Sequence, residues 1–299
     1  MSSILLAYSF YLIYPRLYTI IGIIGEIKLK FKFIFILLSI TLLLFLAILV
    51  FLPNFMLGPS FSASFWRYNW PFIVLWGLIF TGFNVFYFTN RRLFLLLEKE
   101  DWPALVRYLE DRVIQKGRYS ARLVRLLANS YLVLSDSAAV MSLENKTAIV
   151  KPALINANAL VFGTARILGK DISGALRFFE SKRNTVKADL REWVNWYYGF
   201  TLLLNRQFDE SADNFTLLAR TSKDAIITAL SSYFLSENIA RVLTEKGPEL
   251  QKIASEGRDR VRKVLPEISN WNREVTRLST EIHAAALSKY MEETGQWLY

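Results

Sequence analysis

One stretch near the beginning of the chain restricts the possible folds more than any other. It reads FIFILLSITLLLFLAILVFL from Phe33 to Leu52, with no charged residue and only Ser39 and Thr41 as polar side chains. A helix of this length is about 30 Å long, which matches the hydrocarbon thickness of a bilayer. A core helix of a soluble protein normally shows a polar stripe, and this stretch has none. The sequence therefore predicts a membrane-spanning helix.

A second apolar run, PFIVLWGLIFTGFNVFYFT over residues 71–89, is also long enough to cross a bilayer. The connection between the runs, residues 53–70, is rich in aromatic side chains of the kind that settle at headgroup depth. We therefore expect a transmembrane hairpin over residues 33–90 with a short aromatic loop. Small and polar residues help helices associate in lipid, and the second run offers Thr81, Gly82 and Asn84 for this role.

Basic residues near the ends of the spans set the expected orientation. Lysines precede the first span and two arginines follow the second, whereas the connection offers a single arginine; these residues are Lys28, Lys30, Lys32, Arg91, Arg92 and, in the connection, Arg67. By the positive-inside rule both ends face the cytoplasm, so the chain is expected in the inner (cytoplasmic) membrane with its larger part on the cytoplasmic side. Residues 1–32 form an apolar segment with a basic end. Because Pro15 and Arg16 interrupt it, an interfacial or re-entrant segment is favoured over a third span.

Composition excludes several chemistries. The chain has no cysteine and one histidine, so we expect no metal site and no cofactor. The sequence shows no phosphate-binding loop and no nucleophile motif, and we expect no catalytic activity. A net charge of +10 beside a membrane indicates attraction to anionic lipids, and no nucleic acid is expected as a partner. The basic run GRDRVRK at 257–263 is interpreted as a solvated face or a lipid contact.

After residue 91 the apolar residues recur at intervals of three and four, which predicts an all-α domain over residues 91–268 and a capping helix over 269–299. Within this domain the chain repeats itself. FGTARILGKDISGALRFF begins at Phe162, and YGFTLLLNRQFDESADNF begins 36 residues later at Tyr198. The two copies align an aromatic residue, a glycine, a leucine and a closing phenylalanine. A period of this length is typical of a helix-turn-helix unit that buries its apolar face by stacking on its neighbours.

These residues at this spacing resemble the tetratricopeptide repeat. The resemblance covers residues 154–187 and 190–223, and it weakens upstream, where Glu144 stands in place of the closing aromatic residue. It implies an α-solenoid of antiparallel helix pairs whose first helices line a concave groove for a protein segment. The implied groove residues are Arg122, Arg125, Asn129, Leu160, Thr164, Trp193, Trp196 and Phe200. Two arginines and two tryptophans suit a segment with an acidic residue and an apolar anchor.

Two interpretations remain open for the tryptophans. WVNWYYGF at 193–200 is aromatic on every side of a helix, which fits core packing as well as a groove lining. For function, the sequence favours a membrane-anchored adaptor that binds a protein partner at the cytoplasmic face. The alternative is a structural subunit of a secretion or motility apparatus in which the hairpin makes the main contacts. The expected partners are proteins, in particular other subunits of a membrane complex, together with lipids; self-association is a further option.

Overall fold

The computed structural model describes residues 31–279 and 281–299, and this part of the chain is helical, with no β-strand in it. The all-α class and the two long apolar helices expected from the sequence are therefore confirmed. Residues 1–30, for which we predict an interfacial segment, lie outside the described residues. Among the described residues, one compact unit ends at Tyr108 and the other begins at Leu109.

The first unit contains two long helices, α1 (Phe31–Leu57) and α2 (Pro59–Glu98), which pack side by side in a hairpin. The Trp76 indole Nε1 donates a hydrogen bond to the carbonyl of Leu42 at 3.2 Å, and the Phe35 ring lies 3.7 Å from the Tyr87 ring between centroids. Both helices are long and apolar enough to cross a membrane, and their apolar stretches are exposed in the structure.

The aromatic loop expected between the spans is helical instead. The chain reverses at Gly58, whose φ of 84° lies in the left-handed region that glycine adopts without steric cost. One glycine followed by Pro59 at the helix start is enough to reverse the chain, so no long connection is needed. Pro71, which was expected to begin the second span, lies inside α2.

After Glu98 the described residues form shorter helices. In chain order they are α3 (Trp102–Glu110), α4 (Ala121–Val133), α5 (Ser137–Val150), α6 (Ala153–Ala157), α7 (Ala159–Leu168), α8 (Ile172–Lys182), α9 (Ala188–Leu204), α10 (Phe208–Thr221), α11 (Ala225–Tyr233), α12 (Gly247–Val264), α13 (Ile268–Leu278), α14 (Ile282–Ala285) and α15 (Ser288–Leu298). Short π-helical turns follow α3 and α11. The pairs α4/α5, α7/α8, α9/α10 and α11/α12 each pack together. Contacts between α4 and α7, α7 and α9, and α9 and α11 link successive pairs.

The same turn closes four helices, α2, α4, α7 and α9. A residue with positive φ stands at positions 100, 135, 170 and 206, so the turn recurs every 35 or 36 residues; the four residues are Glu100, Ser135, Lys170 and Arg206. At each turn this residue's N–H bonds the carbonyl three residues back, and the next N–H bonds the carbonyl five residues back. This is the Schellman pattern, which satisfies the last carbonyls of a helix. At the first three turns the residue that follows is an aspartate whose carboxylate caps the next helix.

The repeated glycine allows two helices of a pair to approach closely, as its spacing from the closing phenylalanine predicted. A Cβ placed on Gly163 would lie 2.1 Å from the Phe179 ring, and one on Gly199 would lie 3.1 Å from the Phe215 ring. The Ser211 hydroxyl donates a hydrogen bond to the Gly199 carbonyl at 2.9 Å, as a small residue at the point of closest approach can do. Each glycine therefore contacts the aromatic side chain that closes its own repeat.

Two departures from the expected helices come from packing. The first helix of the repeat at 154–187 is divided into α6 and α7 at Asn158, whose side-chain Nδ2 donates to the Leu154 carbonyl. The capping helix expected over 269–299 is three helices, α13, α14 and α15. One continuous helix could not fold back on itself, whereas here the Trp271 indole donates to the Met291 carbonyl at 3.2 Å, joining α13 to α15.

Candidate functional site

The residues implied as a groove lining are divided between the core and one cavity. Trp196, Thr164 and Phe200 lie in the interior, with exposed fractions of 0%, 2% and 5%. The Trp196 ring stacks on Phe200 at 5.2 Å and meets Phe234 at 5.8 Å. Of the two interpretations left open by the sequence, core packing describes Trp196, because no surface of its ring faces solvent.

Four of the other five first-helix residues converge on a cavity of about 200 Å³. Arg125 and Asn129 come from α4, Leu160 from α7 and Trp193 from α9, which are successive first helices of the repeated pairs. The remaining residues that line it are Ala157, Asn158, Val161, Leu190, Leu278, Glu281, Ile282 and His283. Arg122 is exposed and does not line this cavity. The spacing carried over from the repeat family thus selects four residues that share one surface.

The opposite wall of the cavity is supplied by the same chain, far away in sequence. We call residues 281–285, which comprise Glu281 and α14, the plug. The Tyr197 hydroxyl donates a hydrogen bond to the His283 carbonyl at 2.7 Å, and the imidazole meets the Trp193 ring edge to face at 5.4 Å. Ala284 and Ala285 are buried, and α14 packs on α7. The plug therefore covers four of the residues that the resemblance implies as a groove lining, Arg125, Asn129, Leu160 and Trp193.

The polar groups of this site are only partly paired. The Arg125 guanidinium donates through Nη2 to the Ala157 carbonyl at 3.0 Å and through Nε to Asn158 Oδ1 at 3.4 Å. Asn129 Oδ1 and His283 Nε2 are buried and have no hydrogen-bond partner within the described part of the chain. Burial, with a smaller contribution from the Arg125 charge, lowers the pKa of His283 to about 4. The imidazole is therefore neutral at physiological pH, and the charged side chains that line the site are Arg125 and Glu281.

A second cavity of about 580 Å³ lies on the other side of Leu278 and Trp193, both of which line it as well. Its polar residues include Glu192, Asp224 and Arg277. The Asp224 carboxylate accepts hydrogen bonds from the N–H groups of Ile226 and Ile227 at the start of α11, and burial raises its pKa. The capping of α11 accounts for this carboxylate.

The basic run at 257–263 is structural, which corrects its interpretation as a solvated or lipid-facing surface. Arg258 Nε donates to the Leu298 carbonyl at 3.0 Å, and Arg260 Nη2 donates to the Ser222 carbonyl at 2.7 Å. The Arg262 guanidinium lies 5.8 Å from the Tyr299 ring. These side chains connect α12 to the turn before α11 and to the last residues of the chain. Sequence reasoning missed this role because each partner is 32 or more residues away.

The three residues proposed for helix association lie on α2. Thr81 and Gly82 are exposed, and a Cβ added to Gly82 would meet no atom within 4 Å. Asn84 is half-buried, and its Nδ2 donates to the Phe80 carbonyl of the same helix at 2.8 Å. The small residues thus leave a smooth, open surface on α2, while the asparagine amide is engaged within its own helix.

Comparisons with known proteins identify a family and a relative. A family model described as "Uncharacterised Treponema protein" matches residues 139–299. The chain is 27% identical over 234 residues to an uncharacterized protein of Treponema pallidum (strain Nichols), and the match covers 76% of this chain and 74% of that protein. No solved structure matches the chain.

Proposed function

The chain belongs to the uncharacterised Treponema protein family, and we propose that it is a membrane-anchored scaffold whose TPR-like helical repeats bind a protein partner at the cytoplasmic face. One observation carries this proposal. Two long, exposed apolar helices are followed by four identical helix-ending turns at a period of 35 or 36 residues. The first element is suited to a bilayer, and the second supports an array of helix pairs.

Packing within and between the helix pairs supports the repeats, in addition to their period of 35 or 36 residues. In the pairs α7/α8 and α9/α10 a glycine lies against the closing phenylalanine, and successive first helices contact one another. Where the closing aromatic residue is missing, an ion pair takes its place. Glu144 Oε2 accepts from Arg166 Nη1 at 2.6 Å, and the guanidinium lies 4.4 Å from the Phe178 ring. Such units need neighbours to bury their apolar faces, which supports a continuous array.

The distribution of charged residues and the pairing of α1 with α2 support a membrane-spanning hairpin. Between Lys32 and Arg91 the sequence contains one charged residue, Arg67. In the hairpin, Trp76 bonds the carbonyl of Leu42, so the apolar stretch before residue 52 lies beside the stretch that follows Arg67. From Arg67 to Arg91 the helix rises about 36 Å, close to the hydrocarbon thickness of a bilayer. The hairpin tip around Gly58 then extends beyond Arg67 on the far side, and the basic residues at the helix bases favour the cytoplasm.

The cavity surface formed by α4, α7 and α9 already holds one segment of this chain, which supports partner binding there. α9 contacts residues 281–285 through the Trp193 ring and the buried Tyr197 hydroxyl, α7 packs on α14, and Arg125 and Asn129 of α4 line the cavity beside them. A surface that receives one short segment of this chain has the shape and the donors to receive another. A scaffold fixed in the bilayer raises the local concentration of such a partner without any chemistry of its own.

Site-specific cross-linking tests the proposed partner binding. Because the chain has no cysteine, Arg122→Cys on the exposed rim of α4 can carry a single photoreactive maleimide, and Lys252→Cys, exposed on α12, is the matched control. We expect illuminated membranes to give a protein adduct at position 122 that disappears when Arg125→Glu is added. The same adducts at both positions, insensitive to Arg125→Glu, would contradict a specific partner at this surface.

The open surface of α2 favours a second candidate, a structural subunit of a larger membrane complex. Exposed Thr81 and Gly82 let another helix approach closely, which is how many helices associate in lipid. In this case Gly82→Ile should reduce the size of the native complex in mild detergent, and Gly77→Ile, at another open glycine of α2, should not. An unchanged complex in both variants would count against this candidate.

A further inference from the structure

We infer that the plug, residues 281–285, is a resident occupant of the partner-binding surface, and that the partner is an extended protein segment with an acidic side chain beside an aliphatic one, which displaces the plug. This inference rests on the proposed function, since it assigns the binding surface, the ligand chemistry and the displaceable plug to the same scaffold. It is carried by the geometry of the cavity between α4, α7, α9 and the plug.

The plug is attached to the surface through few specific contacts. Its hydrogen bond from Tyr197 uses only the main-chain carbonyl of His283, which any polypeptide can supply. Tyr197 is buried and belongs to α9, so its hydroxyl is held in one place. Because its acceptor is a main-chain carbonyl, this hydrogen bond does not select for a particular side chain. The ring contact between His283 and Trp193 is apolar in character and would be replaced by any flat or aliphatic side chain.

The fit between plug and surface is incomplete on both sides. Leu278 and Trp193 line both the cavity of about 200 Å³ and the cavity of about 580 Å³, so unfilled space adjoins the plug. Within the smaller cavity, Asn129 Oδ1 and His283 Nε2 remain unpaired and buried. Unfilled space and unpaired polar atoms both weaken an association. A segment that filled the cavity and donated to Asn129 Oδ1 would therefore replace the plug, and the released His283 side chain would be hydrated.

The free groups of the surface define the ligand. Arg125 donates through Nε and Nη2 within the domain, and among the described residues its Nη1 has no acceptor, so Nη1 can donate to a carboxylate. Asn129 Oδ1 requires a donor, which an extended backbone N–H supplies. Leu160, Val161 and Leu190 provide the apolar wall for an aliphatic side chain. Glu281 and Ile282 of the plug itself have this acidic-aliphatic order.

A peptide of the plug's own sequence is therefore a defined probe. We would label RLSTEIHAAAL, residues 277–287, with fluorescein and measure its binding by anisotropy to the full chain in detergent. Ala284→Asp places a carboxylate where the wild-type side chain is fully buried and should expel the plug. Thr276→Asp adds the same charge at an exposed position of α13 and is the matched control.

We expect Ala284→Asp to bind the peptide at least tenfold more tightly than wild type and Thr276→Asp, because its surface is vacant. Adding Arg125→Glu to Ala284→Asp should remove this gain. Equal affinities of wild type and Ala284→Asp, or tight binding that survives Arg125→Glu, would overturn the inference. If Ala284→Asp reduces helical content, His283→Ala replaces it, and amide exchange of residues 281–285 must then rise on peptide addition. Unchanged exchange in that variant would overturn the inference as well. No outside partner enters this assay, so the peptide can bind even if cross-linking finds no partner. Conversely, a partner can be cross-linked even if the plug peptide does not bind.

Discussion

Substitution of Gly163 by alanine tests the contact on which the repeat depends. A Cβ at this position would lie 2.1 Å from Phe179 Cζ and 2.5 and 2.6 Å from the two Cε atoms, whereas ordinary contacts begin at 3.4 Å. The ring must therefore move by more than 1 Å (about 1.3 Å from these distances). Phe179 is fully buried and stacks on Tyr197 at 5.2 Å, so it cannot move without displacing the tyrosine that holds the plug.

Overpacking of this kind costs about 1–3 kcal/mol, and a clash of this depth belongs at the upper end. The exchange of glycine for alanine inside a helix returns about 1 kcal/mol. We therefore expect Gly163→Ala to lower the free energy of unfolding by about 1–2 kcal/mol. For a domain of this size the unfolding temperature should fall by about 3–8 °C.

Unfolding followed by circular dichroism on the full chain in detergent measures this cost. Gly77→Ala is the control, because a Cβ there meets no atom within 4 Å, and it should not destabilise the chain. Phe179→Leu shortens the side chain that clashes, so the double variant Gly163→Ala/Phe179→Leu should be more stable than the sum of the single changes implies. Strict additivity, or a Gly163→Ala variant as stable as wild type, would refute the close-approach argument.

Three further predictions concern other parts of the second unit. Arg206→Gly should raise the free energy of unfolding by about 1 kcal/mol in urea titrations, because φ is 63° there and glycine tolerates the left-handed region; Ala188→Gly, in the first turn of α9, should not. Glu144→Ala should lower the free energy of unfolding by about 3 kcal/mol, because the largely buried Arg166 guanidinium loses its ion-pair partner. The double variant Glu144→Leu/Arg166→Leu should recover part of this loss in the same titration. The pKa of His283 is about 4 in the folded chain and 6.5 in the unfolded chain, so the unfolded state binds more protons between these two pH values. The free energy of unfolding should therefore decrease as the pH is lowered from 6.5 toward 4, by up to about 3 kcal/mol. His283 is the only histidine in the sequence, so thermal unfolding of His283→Phe should show a smaller loss over this range, and an unchanged loss would disprove the assignment.

The period and its packing consequence could be predicted because both are local. Gly163 and Phe179 are 16 positions apart, within one helix pair, and their alignment with Gly199 and Phe215 indicated a close approach that the structure contains. The turn chemistry was harder to recognise. The left-handed residues are Glu100, Ser135, Lys170 and Arg206 rather than glycine, so the usual sign of a Schellman turn is missing. The aspartate that follows three of them was the available signal.

The occupied surface could not be predicted from the sequence. Tyr197 and His283 are separated by 86 positions, and no local pattern indicates that the C-terminal part of the chain returns to α9. The same limit applies to Arg258 and Arg260, whose partners are 40 and 38 positions away. Composition identified these residues as basic surface, whereas their hydrogen bonds make them part of the fold. Long-range partners determine both the plug and the role of the arginines.

The hairpin shows a different kind of limit. Its apolar content was evident, but a glycine and a proline at 58 and 59 were part of a presumed loop, although together they form a one-residue reversal. The consequence for function is that the hairpin tip is a pair of helix ends with exposed Phe55, Met56 and Leu57, rather than a flexible connection.

Sided cysteine labelling tests the central claim most directly. The chain has no cysteine, so Ser60→Cys at the exposed hairpin tip and Ser255→Cys on the exposed face of α12 each introduce a single thiol. Intact cells are treated with a membrane-impermeant maleimide, and lysed cells give the total reactivity of each site. The account predicts that Ser60→Cys reacts in intact cells and that Ser255→Cys reacts only after lysis. Reaction of Ser255→Cys in intact cells would place the repeats outside the cytoplasm and contradict a scaffold at the cytoplasmic face.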